Sequence, residues 1–208
     1  MGEVWAPGRR ARLFPDGVAF KIPKGAKLVM QVHYHKNGAP QTDTSQVALY
    51  NAKGVLDQVV KTYPMNNQGF VLMPGNRAQT VTMSFTVPVD VHLRTIFPHM
   101  HLLGQEMRAT AILPDGTQKP LIYIKGWDFN WQETYVYKDP VALPKGTRVE
   151  VVTIYDNSDT NPRQPNHPAR EVRWGEQTTD EMCLCVVGLT MDNQKLGLLL
   201  EAGHTGSE

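Results

Sequence analysis

The segment Gln79 to Val87, with the sequence QTVTMSFTV, alternates apolar and hydroxyl side chains at every second position. Successive side chains of an extended strand point to opposite faces, so Val81, Met83 and Phe85 share one face with Val87 while the threonines share the other. Such alternation is typical of an antiparallel strand with one buried and one solvated face. We therefore predict a half-buried strand here.

The same two-residue period recurs along most of the chain. Further strands are predicted over Arg108 to Leu113, Gln118 to Ile124, Trp131 to Lys138, Arg148 to Tyr155 and Met182 to Leu189. The turn Pro114-Asp115-Gly116 joins the first two into a hairpin. Asp156 to Glu176 reads as a long surface loop, and Asn193 to Ala202 has helical character. Many short strands between Gly/Pro turns predict an all-β fold, an antiparallel β-sandwich of jelly-roll-like type.

The composition is that of a globular protein. The chain has 208 residues, of which 41% are hydrophobic and 20% charged, enough for a real core. The net charge of +1 gives no basic field for nucleic acid. No apolar run approaches the roughly 18 residues of a membrane span. Cys183 and Cys185 share a strand face with parallel side chains, a poor geometry for a disulfide, so buried free thiols are predicted.

The stretch FPHMHLLG, from Phe97 to Gly104, carries two histidines at positions i and i+2. On a strand His99 and His101 would project from one face and could converge on a metal ion, although two solvated surface histidines give the same pattern. Pro98 lacks an N–H and favours a sheet edge, and Gly104 suggests a bend or bulge. The site would then lie at the rim of a sheet.

A second histidine pair lies in LVMQVHYHK. His33 and His35 share one strand face there, and the alternate face, which includes Val32 and Tyr34, is apolar and predicted to be core. Solvated histidines are again the alternative, and polar neighbours at Gln31 and Lys36 strengthen it.

The order of these motifs, LVMQVHYHK, FPHMHLLG, a long loop and then TTDEMC, resembles the copper type II ascorbate-dependent monooxygenases over about residues 5–189. The resemblance implies a copper cofactor, O2 and a small-molecule substrate, electrons from ascorbate or a redox protein, and an extracellular or periplasmic location. It also implies His99, His101 and Met182 as ligands of the oxygen-activating copper. Imidazole and thioether donors suit that metal, and the thioether favours Cu(I).

The resemblance divides the chain into unequal parts. Residues 1–43 would be the last strands of an N-terminal β-sandwich domain, 44–192 a complete C-terminal copper domain and 193–208 a tail. His33, in the VHY motif, would be one of three ligands of a second, electron-transferring copper, and the His-His pair that supplies the other two has no match here. We therefore expect an enzyme that is incomplete on this chain alone, with an N-terminal domain or a partner chain completing it.

The substrate region departs from the peptide-amidating members of that family. Their carboxylate-binding arginine, asparagine and tyrosine are matched by Phe97, Leu184 and Val186, so a peptidylglycine substrate is not expected. The disulfide partner of Cys183 is also missing, with Val152 at the expected place.

Two other functions stay open on the sequence. The chain could be a non-catalytic copper-binding or structural β-module of a larger secreted redox assembly, because fold does not establish activity. It could also be a carbohydrate-binding sandwich, for which the aromatic residues are Trp127, Phe129, Trp131, Tyr135 and Tyr137.

Overall fold

The computed structural model describes residues 5–6, 9–34, 37–52 and 56–191. These ranges contain strands but no helix, and so no helix that could cross a membrane. The twelve strands are β1 Val18–Ala19, β2 Gln58–Val59, β3 Lys61–Asn67, β4 Val71–Leu72, β5 Gln79–Thr86, β6 Val91–His99, β7 Gly104–Ile112, β8 Gln118–Lys125, β9 Tyr135–Leu143, β10 Arg148–Tyr155, β11 Val172–Arg173 and β12 Cys183–Thr190.

Eight of these strands form two four-stranded antiparallel sheets, with the orders β5-β10-β7-β8 and β3-β12-β6-β9. One buried apolar cluster draws on the inner faces of both, for example Val151 and Met107 from the first sheet and Ile96 and Val187 from the second. The predicted all-β antiparallel sandwich is therefore confirmed. Two short pairs, β1 with β2 and β4 with β11, lie outside the main sheets.

The alternation in β5 explains how the sandwich closes. Val81 and Met83 are buried in the core, whereas Thr82 and Ser84 between them are exposed. Burying a valine or methionine side chain is worth roughly 1.5–3 kcal/mol relative to leaving it exposed. A one-residue slip in register would turn these side chains to solvent, so the pattern sets the register as well as the strand.

Several strand limits differ from the prediction. The hairpin of β7 and β8 forms as expected around Gly116, which has a φ of 83°, but β7 begins four residues early, at Gly104. β9 begins at Tyr135 rather than Trp131, because the Trp131 N–H donates to the Asp128 carbonyl at 3.0 Å in a preceding turn. The bulge predicted near Gly104 is confirmed, since the register of β7 with β10 shifts next to it.

The N-terminal prediction was wrong about local structure. Residues 20–34 form no strand, and the side chains predicted to be core, among them Val32 and Tyr34, are exposed. An isolated strand needs a paired neighbour and an apolar layer to be stable, and neither contacts this segment within the described ranges. His35 and the segment Asn193 to Ala202 lie outside the described residues.

The long loop from Asp156 to Glu176 is more tightly packed than a surface loop. Asn157, Asn161 and Gln164 are buried. The Asn157 side-chain amide donates to the Leu72 and Arg170 carbonyls at 2.9 and 2.8 Å. Buried amides that are fully hydrogen-bonded give a loop a single conformation, so this loop can serve as a rigid support.

The two cysteines are free and buried, as predicted. The residue opposite Cys183 is not Val152, however. Side chains alternate along β10, and it is Thr153 that turns inward, with its Oγ1 3.6 Å from the Cys183 Sγ. The expected position of the missing disulfide partner was thus wrong by one residue.

We expect both thiols to resist alkylation in the folded protein. Burial raises the pKa of Cys185 to about 12, and only the thiolate reacts, so its population at pH 8 falls about a thousandfold relative to a pKa of 9.0. Iodoacetamide followed by mass spectrometry should give no adduct in buffer and two adducts in denaturant. Labelling in buffer at the rate of the unfolded chain would contradict the burial.

Candidate metal centre

The predicted ligand residues lie at one end of the second sheet. β6 ends at His99 and the antiparallel β12 begins at Cys183, with His99 opposite Leu184 in the register. β9 pairs with β6 only as far as Ile96. β6 is therefore a central strand along most of its length, but its last residues, including Pro98, have a neighbour on one side only. This local edge explains how Pro98 is accommodated.

The two histidine rings lie close together. Their centroids are 5.2 Å apart and the ring planes meet at 86°. His101 follows the end of β6, so the turn, and not the two-residue period of a strand, sets its orientation. His101 is buried and His99 is half-buried. The structure thus brings the pair together as predicted, by a different local geometry.

The hydrogen bonds of His99 fix its tautomer. Its Nδ1 lies 2.6 Å from Oε1 of Gln132, and the Gln132 amide nitrogen donates to the Phe129 carbonyl at 2.7 Å. That second bond defines which end of the amide is oxygen. Because an amide oxygen only accepts, Nδ1 of His99 carries the proton. Its Nε2 lone pair is left available to a metal.

His101 has the same arrangement with a different partner. Its Nδ1 donates to the Asp180 carbonyl at 3.1 Å, which leaves its Nε2 lone pair available as well. Burial lowers the pKa of both imidazoles, to about 4 for His99, so both are neutral at pH 7. Metal-binding histidines commonly donate their second ring N–H to a carbonyl in this way.

Met182 is held by both of its backbone groups. Its N–H donates to Glu181 Oε1 at 2.8 Å, and its carbonyl accepts from the Tyr155 hydroxyl at 2.8 Å. The side chain is half-buried. The start of its thioether side chain is therefore fixed at the same end of the sheet as His99.

Glu181 is the buried acid of the site. It is fully buried, and its carboxylate accepts the backbone N–H groups of His101 and Leu103, the latter at 2.9 Å. Burial raises the pKa of Glu181 to about 8, against the opposing effect of these N–H donors. One side chain thus joins the turn after β6 to the segment before β12.

Two further residues shape the turn. Arg163, from the long loop, donates to the Gly104 carbonyl at 3.0 Å and to the Trp127 carbonyl. A Cβ on Gly104 would lie 2.9 Å from the Cβ of Met100, closer than side-chain packing permits. The glycine that follows the histidine pair is required because the turn packs tightly against Met100.

The surface beside His99 is apolar. Leu184 lies opposite His99 and Val186 opposite Phe97 across the β6–β12 pair, which places the side chains of each pair on one face. Leu184 and Val186 are half-buried. Phe97 is buried, and the Arg9 guanidinium lies 5.1 Å from its ring centroid.

His33 is not brought to this centre. It is exposed in the irregular segment, and no hydrogen bond or ring contact among the described residues joins it to His99 or His101. The residues that the structure describes contain no cluster of three His, Cys, Asp or Glu side chains suited to a metal. Among those residues, therefore, no third His, Cys, Asp or Glu side chain completes a cluster with the histidine pair.

The sequence reasoning missed Gln132 and Glu181. Gln132 lies in a polar-looking stretch between Trp131 and Glu133, and nothing in the pattern marks it as 1% exposed. Glu181 lies within the TTDEMC motif, but an acidic residue in a polar stretch does not by itself indicate a buried side chain. Its place directly before the predicted ligand Met182 was the available signal.

Comparisons with known proteins address the identity of this domain. A family model for the copper type II ascorbate-dependent monooxygenase C-terminal domain matches residues 59–188. No curated protein matches the chain. Two solved structures of infectious bursal disease virus show weak likeness. For the Gt strain the identity is 13% and the TM-score 0.33, over 76% of this chain and 40% of that one. For the Gx strain the identity is 12% and the TM-score 0.27, over 76% and 38%.

The chain spans less than half of either viral protein, and TM-scores this low do not establish a shared fold. The family match is different in kind, because it covers more than half of the chain and contains both histidines and Met182. The family's cofactor is copper, and two neutral imidazoles with available Nε2 atoms suit that metal. This chain belongs to the copper type II ascorbate-dependent monooxygenase family, as its C-terminal domain.

Proposed function

We propose that this domain binds one copper ion through Nε2 of His99, Nε2 of His101 and the thioether of Met182, and that it hydroxylates a C–H bond of a small apolar substrate. The observation that carries the proposal is the paired tautomer geometry. Both Nδ1 atoms are engaged, by Gln132 and by the Asp180 carbonyl. Both Nε2 lone pairs are therefore left available to a metal, at the end of the sheet where the Met182 side chain begins.

The bound copper would supply oxygen activation at a site with positions left open for O2. The overall reaction is R–H + O2 + 2 electrons + 2 protons → R–OH + H2O. The residues of the chain contribute orientation. Gln132 and Asp180 fix the imidazoles, and Tyr155 holds the backbone of Met182. Preorganised ligands of this kind avoid reorganisation during the reaction.

The substrate class follows from the surface beside His99. Leu184 and Val186 contribute apolar side chains to the face that carries His99. A carboxylate placed against these two side chains would lose hydration, and neither side chain offers it a hydrogen bond. We therefore infer a substrate whose reacting end is a hydrocarbon, and not a peptidylglycine.

Electrons would come from ascorbate or a redox protein, and an extracellular or periplasmic location fits that chemistry. His33 would contribute to a second copper only if an N-terminal domain or a partner chain supplied further ligands. Its exposed, unclustered position among the described residues is consistent with such a need. On this reading residues 1–43 belong to the preceding domain.

The position of His33 also supports a second candidate function. Because no contact among the described residues joins His33 to His99 or His101, the domain could hold copper without turning over, as a binding or structural module of a larger redox assembly. A sugar-binding role is disfavoured, because Trp127 of the aromatic group is buried in the core.

Copper titration combined with X-ray absorption tests the ligand set. We expect one Cu(I) per chain with two nitrogen neighbours and one sulfur neighbour, and loss of the sulfur signal in Met182→Leu. Met73→Leu is the matched control, because Met73 is an exposed methionine outside the site. An unchanged sulfur signal in Met182→Leu would disprove the assignment of that ligand.

Measurement of oxygen consumption then distinguishes a catalytic monooxygenase domain from a non-catalytic copper-binding module. Ascorbate-dependent O2 uptake with stoichiometric alcohol formation, on alkyl or aryl compounds but not on N-acylglycines, supports the monooxygenase. Tight copper binding without substrate-dependent uptake, even after an N-terminal domain is added, supports the non-catalytic module.

Removing the Gln132 carboxamide should weaken copper binding. Gln132→Leu leaves the His99 Nδ1–H unpaired and the ring free to change tautomer, and loss of such a partner costs about 10–100-fold in metal affinity. Gln132→Glu keeps an acceptor and should lose less. Competition with a Cu(I) chelator measures the affinity, with the exposed Gln118→Leu as control. Wild-type affinity in Gln132→Leu would show that the amide does not orient His99.

A further inference from the structure

The segment Asp180-Glu181-Met182 contacts the histidine turn at more than one point. The Asp180 carbonyl accepts from the His101 ring at 3.1 Å, and the Glu181 carboxylate accepts from the His101 and Leu103 backbones. Met182 follows directly in the chain. The proposed sulfur ligand is therefore connected to the proposed nitrogen ligands by one short segment.

A carboxylate is suited to this position for a geometric reason. The chain leaves β6 at His99, so the N–H groups of the following turn have no ladder partner from that strand. Buried N–H groups need acceptors. Glu181 offers two acceptor oxygens, which receive three backbone donors, from His101, Leu103 and Met182. A glutamine would turn an NH2 donor toward one of these groups.

Ion pairing does not explain the burial of Glu181. The residue is 0% exposed, and none of the ion pairs among the described residues includes it. A buried carboxyl group without a counter-ion is costly to desolvate. The residue lies where the two ligand-bearing segments meet, which points to a role in the site.

We propose that Glu181 is a positioning residue that holds the histidine turn and the Met182 segment in register, so that thioether and imidazoles reach one copper together. The proposal rests on the proposed function. Without the carboxylate the two segments separate, and copper keeps its nitrogen ligands while the sulfur is lost or displaced.

The test compares Glu181→Gln and Glu181→Asp with wild type and Met182→Leu, each loaded with Cu(I). X-ray absorption reports the sulfur neighbour, and the infrared stretch of bound CO reports the electron density at copper. Glu181→Gln should lose the sulfur signal and move the CO stretch to the Met182→Leu value. Glu181→Asp, which keeps the carboxyl group on a shorter side chain, should fall between. Glu150→Gln, at a half-buried carboxylate on β10 outside the site, is the control and should match wild type.

Every outcome decides the matter. A wild-type spectrum in Glu181→Gln overturns the proposal. Failure of both Glu181 variants to fold, judged by circular dichroism without metal, also overturns it, because Glu181 would then serve the fold. If wild type itself shows no sulfur neighbour or no Cu(I), the proposed ligand set fails instead, independently of the Glu181 variants.

Discussion

His101→Ala is expected to reduce the affinity for Cu(I) by about 100-fold or more while the sandwich stays folded. Loss of a residue that only hydrogen-bonds a ligand costs about 10–100-fold in metal affinity, and this change removes a proposed ligand itself. The turn keeps its other supports, because Glu181 bonds the backbone at position 101, and the Trp127 indole donates to the carbonyl of that residue at 3.0 Å. Alanine provides both backbone groups equally well.

Chelator competition gives the affinity, and circular dichroism checks the fold. His92→Ala is the matched control, since His92 is a histidine of the same strand, paired with Thr190 and Ala142 away from the site. It should bind copper like wild type. If His101→Ala retains wild-type affinity while His92→Ala does not, the copper lies elsewhere on this domain.

The sequence predicted the sandwich well where one face of a strand is buried. In β5 the alternation of Val81 and Met83 with hydroxyl residues sets strand and register together. β10 was predicted with its observed limits, Arg148–Tyr155. Such strands need only their own pattern to be recognised, because the inner face of any sandwich selects it.

The prediction failed where an apolar pattern has no partner. Leu28, Met30, Val32 and Tyr34 recur at every second position, as the apolar residues of β5 do. The segment nevertheless forms no strand, and these side chains are exposed. Alternation states which face would be buried, but not what would bury it. Whether a second layer packs against that face depends on the tertiary structure, which a local sequence pattern does not report.

The histidine pair could be found from spacing, but its chemistry could not. Two histidines two apart suggest a shared ligand, whereas the tautomers depend on Gln132, 33 residues away, and on the Asp180 carbonyl, 79 residues away. A backbone carbonyl has no sequence signature, and a buried glutamine looks like a surface one. The supporting contacts of a site are therefore its least predictable part.

Trp127→Ala should have the largest effect on stability. The indole is 2% exposed and packs in the core against the turn at Gly104. Replacing a buried tryptophan by alanine costs about 3–5 kcal/mol through lost burial and the cavity that remains. For a domain of this size that corresponds to a fall in Tm of roughly 6–20 °C.

Urea unfolding of the metal-free protein, followed by circular dichroism, measures the change in the free energy of unfolding. Trp131→Ala is the matched control, because Trp131 is 53% exposed and its loss should change stability by about 0.5 kcal/mol or less. Trp127→Phe separates packing from hydrogen bonding. It fills part of the cavity but leaves the buried His101 carbonyl without the indole N–H, at a cost of about 1–3 kcal/mol. Equal stability of Trp127→Ala and Trp131→Ala would refute the core position of Trp127. A Trp127→Phe variant that is stable but weak in copper binding would mean that the indole N–H chiefly fixes the turn at His101.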